Sequence, residues 1–308
     1  MSKLNLFINN ELVKHTSLSV TFSIEQLAHT FAATIKKMKV KQPLPIEIKL
    51  DNTTIFKGQI DERDRSIDTS ANKMSISGRS LSANLIDSRI KINAIYTQNL
   101  LQILKQIVPK FGLGAKSDVT KLPLVPEFQL NAESPIPGLS QIAKQQKLML
   151  IERDGNLVIQ QPGQFKVTNL KLTEGINLKT INVKESFVDL FYHYEVQGAW
   201  DESYAVVKYA GANTCREKII ISDKLQNQES CKLRAEYERD LAIAKGLHVS
   251  GTIPGLHSNM TGEELNKLIQ VDIPSDEINE QLLIKTITLS ETGTTRNTQI
   301  EFMRPFHE

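Results

Sequence analysis

Cysteine is scarce here: Cys215 and Cys231 are the two in 308 residues, and no C-x-x-C spacing occurs. That argues against a zinc knuckle or a thioredoxin-type dithiol and leaves two unlinked thiols, the usual state in a reducing compartment. Net charge is also small. Lys and Arg number 37 against 35 Asp and Glu, a balance of +2. A dedicated nucleic-acid binder would show a basic stripe, so none is expected, although a local patch is compatible with the balance. No apolar run approaches the roughly 20 residues that cross a bilayer, so stable membrane insertion is not expected. The first residues, MSKLNLFINNELV, lack the apolar core and small-residue cleavage site of a secretory signal. The chain is expected to be made in the cytoplasm and to stay soluble. Tryptophan occurs once, at Trp200.

What is present is alternation. Apolar residues make up 40% of the chain, enough for real cores, and the length suggests two or three domains. LNLFI (4–8), LSVTFSI (18–24), the Phe31, Ala33, Ile35 series and IEIKL (46–50) repeat with period two, the mark of half-buried strands. Asn9-Asn10 and DNTT (51–54) supply turns. IFKGQIDERDRSID (55–68) reads as one long strand with Gly58 as the place for a bulge, TSANK (69–73) as a turn, and MSISG (74–78) as the return strand. SLSANLID (80–87) reads as a short helix capped by Ser80 or Ser82.

The character then changes. YTQNLLQILKQIVPK (96–110) carries Leu100, Leu101, Leu104, Ile107 and Val108 at helical spacing, ended by Pro109 and Gly112. KLPLVPEF (121–128) is extended, SPIPGLSQIAKQQKL (134–148) is a second helix, and LMLIERDGNLVIQQ (148–161) is a hairpin around Asp154-Gly155. From 165 onward β returns: LKLTEGINLKTINVKES (170–186) is strand, turn, strand, and LFYHYEVQGAW (190–200) alternates. Residues 201–227 read mostly as a surface excursion. ESCKLRAEYERDLAIAKG (229–246) is a helix with Lys232–Glu236 and Arg234–Glu238 pairs and Gly246 as its stop. LHVSGTI (247–253) is a strand, and QLLIKTITLS (281–290) and NTQIEFMR (297–304) form a closing hairpin across ETGTTR (291–296). Thr261 to Glu264 fits a capping box, yet Leu265, Lys267, Ile269, Val271 and Ile273 alternate, and a strand over 265–273 is the reading taken.

Chemistry finds little support. Asp61, Glu62 and Asp64 are carboxylates of the type a sugar hydrolase needs across a scissile bond, but interleaved with Arg63 and Arg65 they read as a solvated strand or interface edge. The histidines, His15, His29, His193, His248, His257 and His307, form no H-E-x-x-H or other close ligand pair. His193, inside FYHY, reads as a packed core or rim residue. GLGAK (112–116) lacks P-loop spacing, and no G-x-S-x-G elbow exists. No catalytic, cofactor or metal residue is assigned. Trp200 and its neighbouring tyrosines could stack on a sugar or base, with a domain-edge aromatic as the plainer reading.

The ordered series of structural segments resembles a family. GQIDER (58–63), MSISGR (74–79) and ANLID (83–87) are similar to segments of the baseplate hub proteins of Mu-like contractile-tailed phages and prophages. Asn84 stands where that family often has Asp. SVTFSIE (19–25), NLLQILKQIVPKFGL (99–113), SQIAKQQKLMLIERDGNLVI (140–159), the helix 229–246 and the strands 282–304 continue the likeness in order. These hub proteins resemble the N-terminal part of type VI secretion spike proteins. The resemblance implies a mainly β chain, two related antiparallel β-barrels (1–93 and 165–308) flanking a smaller α/β unit (94–164). It implies a homotrimer whose six barrels join a hexameric tail tube to a trimeric central spike, a virion protein made in the bacterial cytoplasm, with no enzymatic role, cofactor or nucleic-acid specificity. Gly58, Asp61, Arg63, Gly78, Arg79 and Asp87 are then barrel-wall or subunit-contact residues, with Asp61, Arg63 and Arg79 in a salt-bridge set. Two other classes stay open: a spike-linked cell-wall hydrolase, and a host-surface binding module.

Overall fold

A computed structural model describes residues 2–65, 72–223 and 225–306. The first group of strands is β1 (Leu4–Ile8), β2 (Glu11–Val13), β3 (His15–Ser23), β4 (Thr30–Lys36), β5 (Pro45–Leu50), β6 (Thr53–Asp64) and β7 (Lys73–Ser80). Then come α1 (Ser82–Asp87), β8 (Ile90–Asn99), α2 (Leu100–Ile107), β9 (Gly114–Ser117), β10 (Leu124–Glu133), α3 (Pro135–Gln145), β11 (Met149–Arg153) and β12 (Asn156–Gln160). The rest is β13 (Phe165–Thr173), β14 (Lys179–Glu185), β15 (His193–Gln197), β16 (Tyr204–Lys208), β17 (Glu217–Ile221), α4 (Gln228–Lys245), β18 (Leu247–Pro254), β19 (Lys267–Ile273), β20 (Ile278–Thr292) and β21 (Thr295–Met303). The turn expected over 69–73 falls mainly outside the described residues, as does His307.

The protein is mainly β. One 13-stranded sheet runs β14-β18-β21-β20-β3-β4-β7-β6-β5-β1-β2, with β19 attached to β20 and β13 to β19. Its two halves come from opposite ends of the chain and meet where β3 pairs β20, Ser17 opposite Thr292 and Ser23 opposite Thr286. Two barrels were expected; the described strands join in one sheet that branches at β20, with no closed barrel among them, and one apolar core serves both groups. Leu18, Val20 and Phe22 of β3 are buried in it together with Ile287 and Leu289 of β20 and Ile300 and Phe302 of β21. Each such side chain contributes about 1.5–3 kcal/mol by leaving water. A second core gathers α2, α3 and strands β8 to β12 around Leu100, Ile103, Leu104 and Leu139.

Local signals account for many of the element ends. Asn9 and Asn10 (φ 51° and 66°), and Asp154 and Gly155 (φ 50° and 68°), make two-residue hairpin turns in which both central residues have positive φ. The capping box at Thr261 closes a one-turn 3₁₀ helix over Gly262–Glu264, and the strand reading holds from Lys267, where β19 begins. Cys215 is exposed and Cys231 buried, and they are not linked.

Other expectations are corrected. The helix foreseen from 96 begins at Leu100, because the Asn99 side chain accepts from Gln102 N while Gln102 Oε1 accepts from Asn99 N; residues 96–98 stay in β8. Neither Ser80 nor Ser82 caps α1; Leu81 holds that position without a side-chain bond. On α4, Arg234 pairs with Glu238, but Glu236 pairs with Lys147 from beyond α3 rather than with Lys232. Gly246 ends α4 at φ −61° instead of turning left-handed. The closing hairpin is tighter than foreseen, with Thr292 opposite Thr295. Strands β13 and β14 flank a turn but pair elsewhere, β13 parallel to β19 and β14 antiparallel to β18. GLGAK runs into β9, parallel to β12.

The largest correction concerns 201–227. Strands β16 and β17 flank β15 in a three-stranded sheet, and α4 packs on it around Tyr194, Val196, Ala205 and Ala235. The stretch escaped notice because Val206, Ile219 and Ile221 lie exposed on the outer face, so both faces carry apolar residues and the alternation is blurred.

Candidate functional site

Strands β6 and β7 carry the residues singled out in the sequence. Ile60 faces Gly78 and Glu62 faces Ser77, which leaves Asp61 as the extra residue of a bulge. The bulge was expected at Gly58; it lies three residues further on. Gly58 and Gly78 meet a different need. A Cβ on Gly78 would sit 1.9 Å from the Gln59 carbonyl oxygen, and one on Gly58 would sit 2.2 Å from the Arg79 carbonyl oxygen. The two backbones approach too closely for any side chain.

A bulge bends its strand and re-aims the extra side chain, and here it brings Asp61 to Arg79. Arg79 Nε donates to Asp61 Oδ2 at 2.7 Å. The same guanidinium donates through Nη1 and Nη2 to both oxygens of Asp87, at 3.1 and 2.7 Å. Asp87 is the last residue of α1, where a carboxylate opposes the helix dipole and a cation offsets it. Hydrogen bonds from Arg79 hold the Asp87 carboxyl below its ordinary value, and Asp87 first, then Asp61, raise the guanidinium above its own. Arg79 thus fastens the β6 bulge and the end of α1 to β7. Asp87 is over half exposed, so each pair contributes only about 0–1 kcal/mol.

Arg63 stands apart from this set. With Glu62 and Asp64 it borders a shallow depression of about 690 Å³ whose floor includes Ser17, Ser19, Thr34, Ser75 and Ser77. The floor is part of a hydroxyl-bearing sheet face. Ser17 Oγ donates to Thr34 Oγ1 at 2.9 Å, the Thr21 and Thr288 hydroxyls meet at 3.0 Å, and Thr286 Oγ1 donates to Ser23 Oγ at 3.3 Å. The alternation of Ser19, Thr21 and Ser23 with apolar residues was the sequence trace of this face.

One polar cluster escaped the sequence reading. The Ser80 hydroxyl donates to Glu152 Oε2 at 2.5 Å and accepts from the His29 backbone N–H at 2.9 Å, while His29 Nε2 lies 2.9 Å from the Glu152 carbonyl oxygen. All three residues are buried. Burial pushes the His29 imidazole down to about 4 and the Glu152 carboxyl up. The imidazole addresses a carbonyl rather than the serine hydroxyl, so the trio lacks the nucleophile–base bond of an acyl-transfer site. It ties the residue just before β4 and the end of β7 to β11. His193 sits at the rim of β15, 3.3 Å from Glu217. Among the described residues, no group of three His, Cys, Asp or Glu is placed to hold a metal ion.

No family model matches the chain. The baseplate hub protein gp44 of Escherichia phage Mu is 25% identical over 305 residues, an alignment spanning 89% of this chain and 80% of gp44. The 43 kDa tail protein of prophage MuSo2 from Shewanella oneidensis shares the fold at TM-score 0.87 and 22% identity, over 99% of this chain and 98% of that one. The tail protein from Neisseria meningitidis MC58 also superposes at 0.87, with 13% identity, over 98% and 96% of the two chains. An Escherichia coli component of the type VI secretion system, c3393, follows at 0.63 and 11% identity, over 98% of this chain and 77% of its own. In sequence the chain resembles the baseplate hub protein of phage Mu, and in fold it matches the 43 kDa tail protein of prophage MuSo2 and the tail protein from Neisseria meningitidis.

Proposed function

We propose that this chain is a structural hub of a contractile phage tail, in which three copies form a ring joining the tail tube to the central spike. The observation that carries the reading is the sheet. The pairing of β3 with β20 fuses the first and last strand groups into one continuous wall. Among the described residues the margins of that wall are left for other copies: β14 pairs only with β18, β2 only with β1, β13 only with β19, and the last residues of β6 only with β7. Unpaired edges invite another chain, and a heterologous contact repeated by rotation closes a ring. In this reading residues 1–93 and 165–308 supply the two barrel-like units of each copy, 94–164 lies outside the ring, and Gly58, Asp61, Arg63, Gly78, Arg79 and Asp87 shape the wall next to a subunit contact. The role is structural and the destination is the virion, after synthesis in the bacterial cytoplasm.

Light scattering on a size-exclusion column tests the ring. A sharp species at three times 34.6 kDa supports it, and a subunit interface on the order of 2,000 Å² or more is then expected. A clean monomer, with and without tube and spike proteins added, overturns it. A host-surface role would instead draw on Trp200 and Tyr204, both exposed beside the three-stranded sheet.

A further inference from the structure

We propose that one strand end of the first sheet half, bearing Lys14, Lys36, Lys37, Lys39, Lys41 and Lys73, is a docking face for the acidic end surface of a partner protein. The chain is nearly neutral as a whole, but its charge is segregated here. Between Glu25 and Glu47 there are four lysines and no carboxylate.

Sheet register gathers the others. His15 faces Ile35, which puts Lys14 beside the end of β4, and Lys36 lies directly opposite Lys73 across β4 and β7. The Lys37 N–H donates to the Asn72 carbonyl at 3.1 Å, tying the segment after β4 to the start of β7. Met38 and Val40 then pack on the main core, so Lys37, Lys39 and Lys41 are left exposed on the other side as a row. Carboxylates border the face at Asp64, opposite Ser75, and at Glu11, three residues before Lys14, and among the described residues no ion pair joins either of them to any of the six lysines.

Like charges set opposite each other on adjacent strands destabilise a sheet. β4 and β7 are interior strands of the sheet, and the Lys36–Lys73 pair lies just past the ends of the flanking ladders, which stop at Ile35 and Ser75. An acidic surface brought against this strand end offsets the repulsion. A protein surface fits better than a nucleic acid. Leu12, 62% exposed, lies beside Lys14 and opposite Phe7 across β1 and β2, which gives the face an apolar component. Lysine stems around an exposed leucine can cover apolar surface while the ammonium groups meet carboxylates. The nature of the partner, a protein stacked end-on, rests on the hub reading; the charge and placement of the face do not.

Fluorescence anisotropy tests the face with a labelled peptide rich in glutamate and leucine, and with a short DNA duplex of matched charge. The wild-type chain is expected to bind the peptide at low salt and release it at high salt. The variant Lys36→Glu/Lys39→Glu/Lys73→Glu is expected to lose roughly tenfold or more in affinity. The same change of charge on the α/β unit, Lys105→Glu/Lys110→Glu/Lys116→Glu, is expected to cost less than about twofold, because separated exposed charges are screened. Equal losses in the two variants, no peptide binding by the wild type, or tighter binding of the duplex than of the peptide overturns the proposal. Light scattering on the same samples separates the two readings: a wild-type monomer that still binds the peptide through these lysines defeats the ring and leaves the docking face standing.

Discussion

Replacing Gly78 by alanine probes the reason for the glycines at the β6 bulge. The new Cβ would lie 1.9 Å from the Gln59 carbonyl oxygen, 2.8 Å from Phe31 Cε1 and 3.0 Å from the Asp61 backbone nitrogen. The first and third contacts are backbone, which cannot rotate away as a side chain can. Overpacking of this kind costs about 1–3 kcal/mol, and moving β6 off β7 forfeits about 1 kcal/mol for each ladder bond broken. The smaller entropy of the unfolded alanine chain returns about 0.4–1 kcal/mol. The net expectation is a loss of about 2–3 kcal/mol. Gly155→Ala is the comparison. It has φ 68° but nothing within 4 Å of the added Cβ, so only the left-handed backbone penalty of about 1 kcal/mol applies. Urea unfolding followed by far-UV circular dichroism reads both, since Trp200 lies in the three-stranded unit and reports poorly on β6. The close-approach argument is wrong if Gly78→Ala stays within about 0.5 kcal/mol of wild type, or if Gly155→Ala is the more damaging of the two.

Arg79→Ala removes the clamp on Asp61 and Asp87 and is expected to cost about 1 kcal/mol in the same assay and to loosen the oligomer; unchanged melting temperature and mass would remove any role for it. Glu238 is buried and accepts from Lys218 and Arg234 at 2.8 and 3.0 Å. Glu238→Gln leaves two cations facing a neutral amide and is expected to cost about 2 kcal/mol, seen first in Trp200 fluorescence as α4 separates from β15; a shift confined to the main sheet would contradict that placement. Stability should also fall as pH drops from 6.5 toward about 4, because the unfolded His29 takes up a proton that the buried one, held near 4, refuses. His15, also lowered mainly by burial, adds in the same sense. Glu152, raised by burial, works the other way and is relieved as it protonates. His29→Gln should flatten the slope over that window, and an unaltered slope in a titration of unfolding free energy against pH would refute the assignment.

Local chemistry was legible in the sequence because it needs only neighbours. Asn9-Asn10 and Asp154-Gly155 specify hairpins through backbone preference. The Thr261 box specifies its own turn, and period-two alternation correctly located β3, β4, β5 and β7. The resemblance of 58–63, 74–79 and 83–87 to hub proteins was likewise readable as an ordered series. Tertiary structure decided what depends on distant partners. The pairing of β3 with β20 links residues 267 apart, and it joins the strand groups of the two expected barrels into one sheet. The Asp61 bulge follows from the register between β6 and β7; the resemblance implied a set of Asp61, Arg63 and Arg79, whereas the fold joins Arg79 to Asp61 and to Asp87. The His29–Ser80–Glu152 cluster has no local trace, since three single polar residues 51 to 123 positions apart carry no period or motif. The lysines of 36–41 passed without notice in the sequence, and Lys73 joins them only through the β4–β7 register. Propensity and turn chemistry act over a few residues, whereas register, burial and charge juxtaposition are set by which strands find each other across the whole chain.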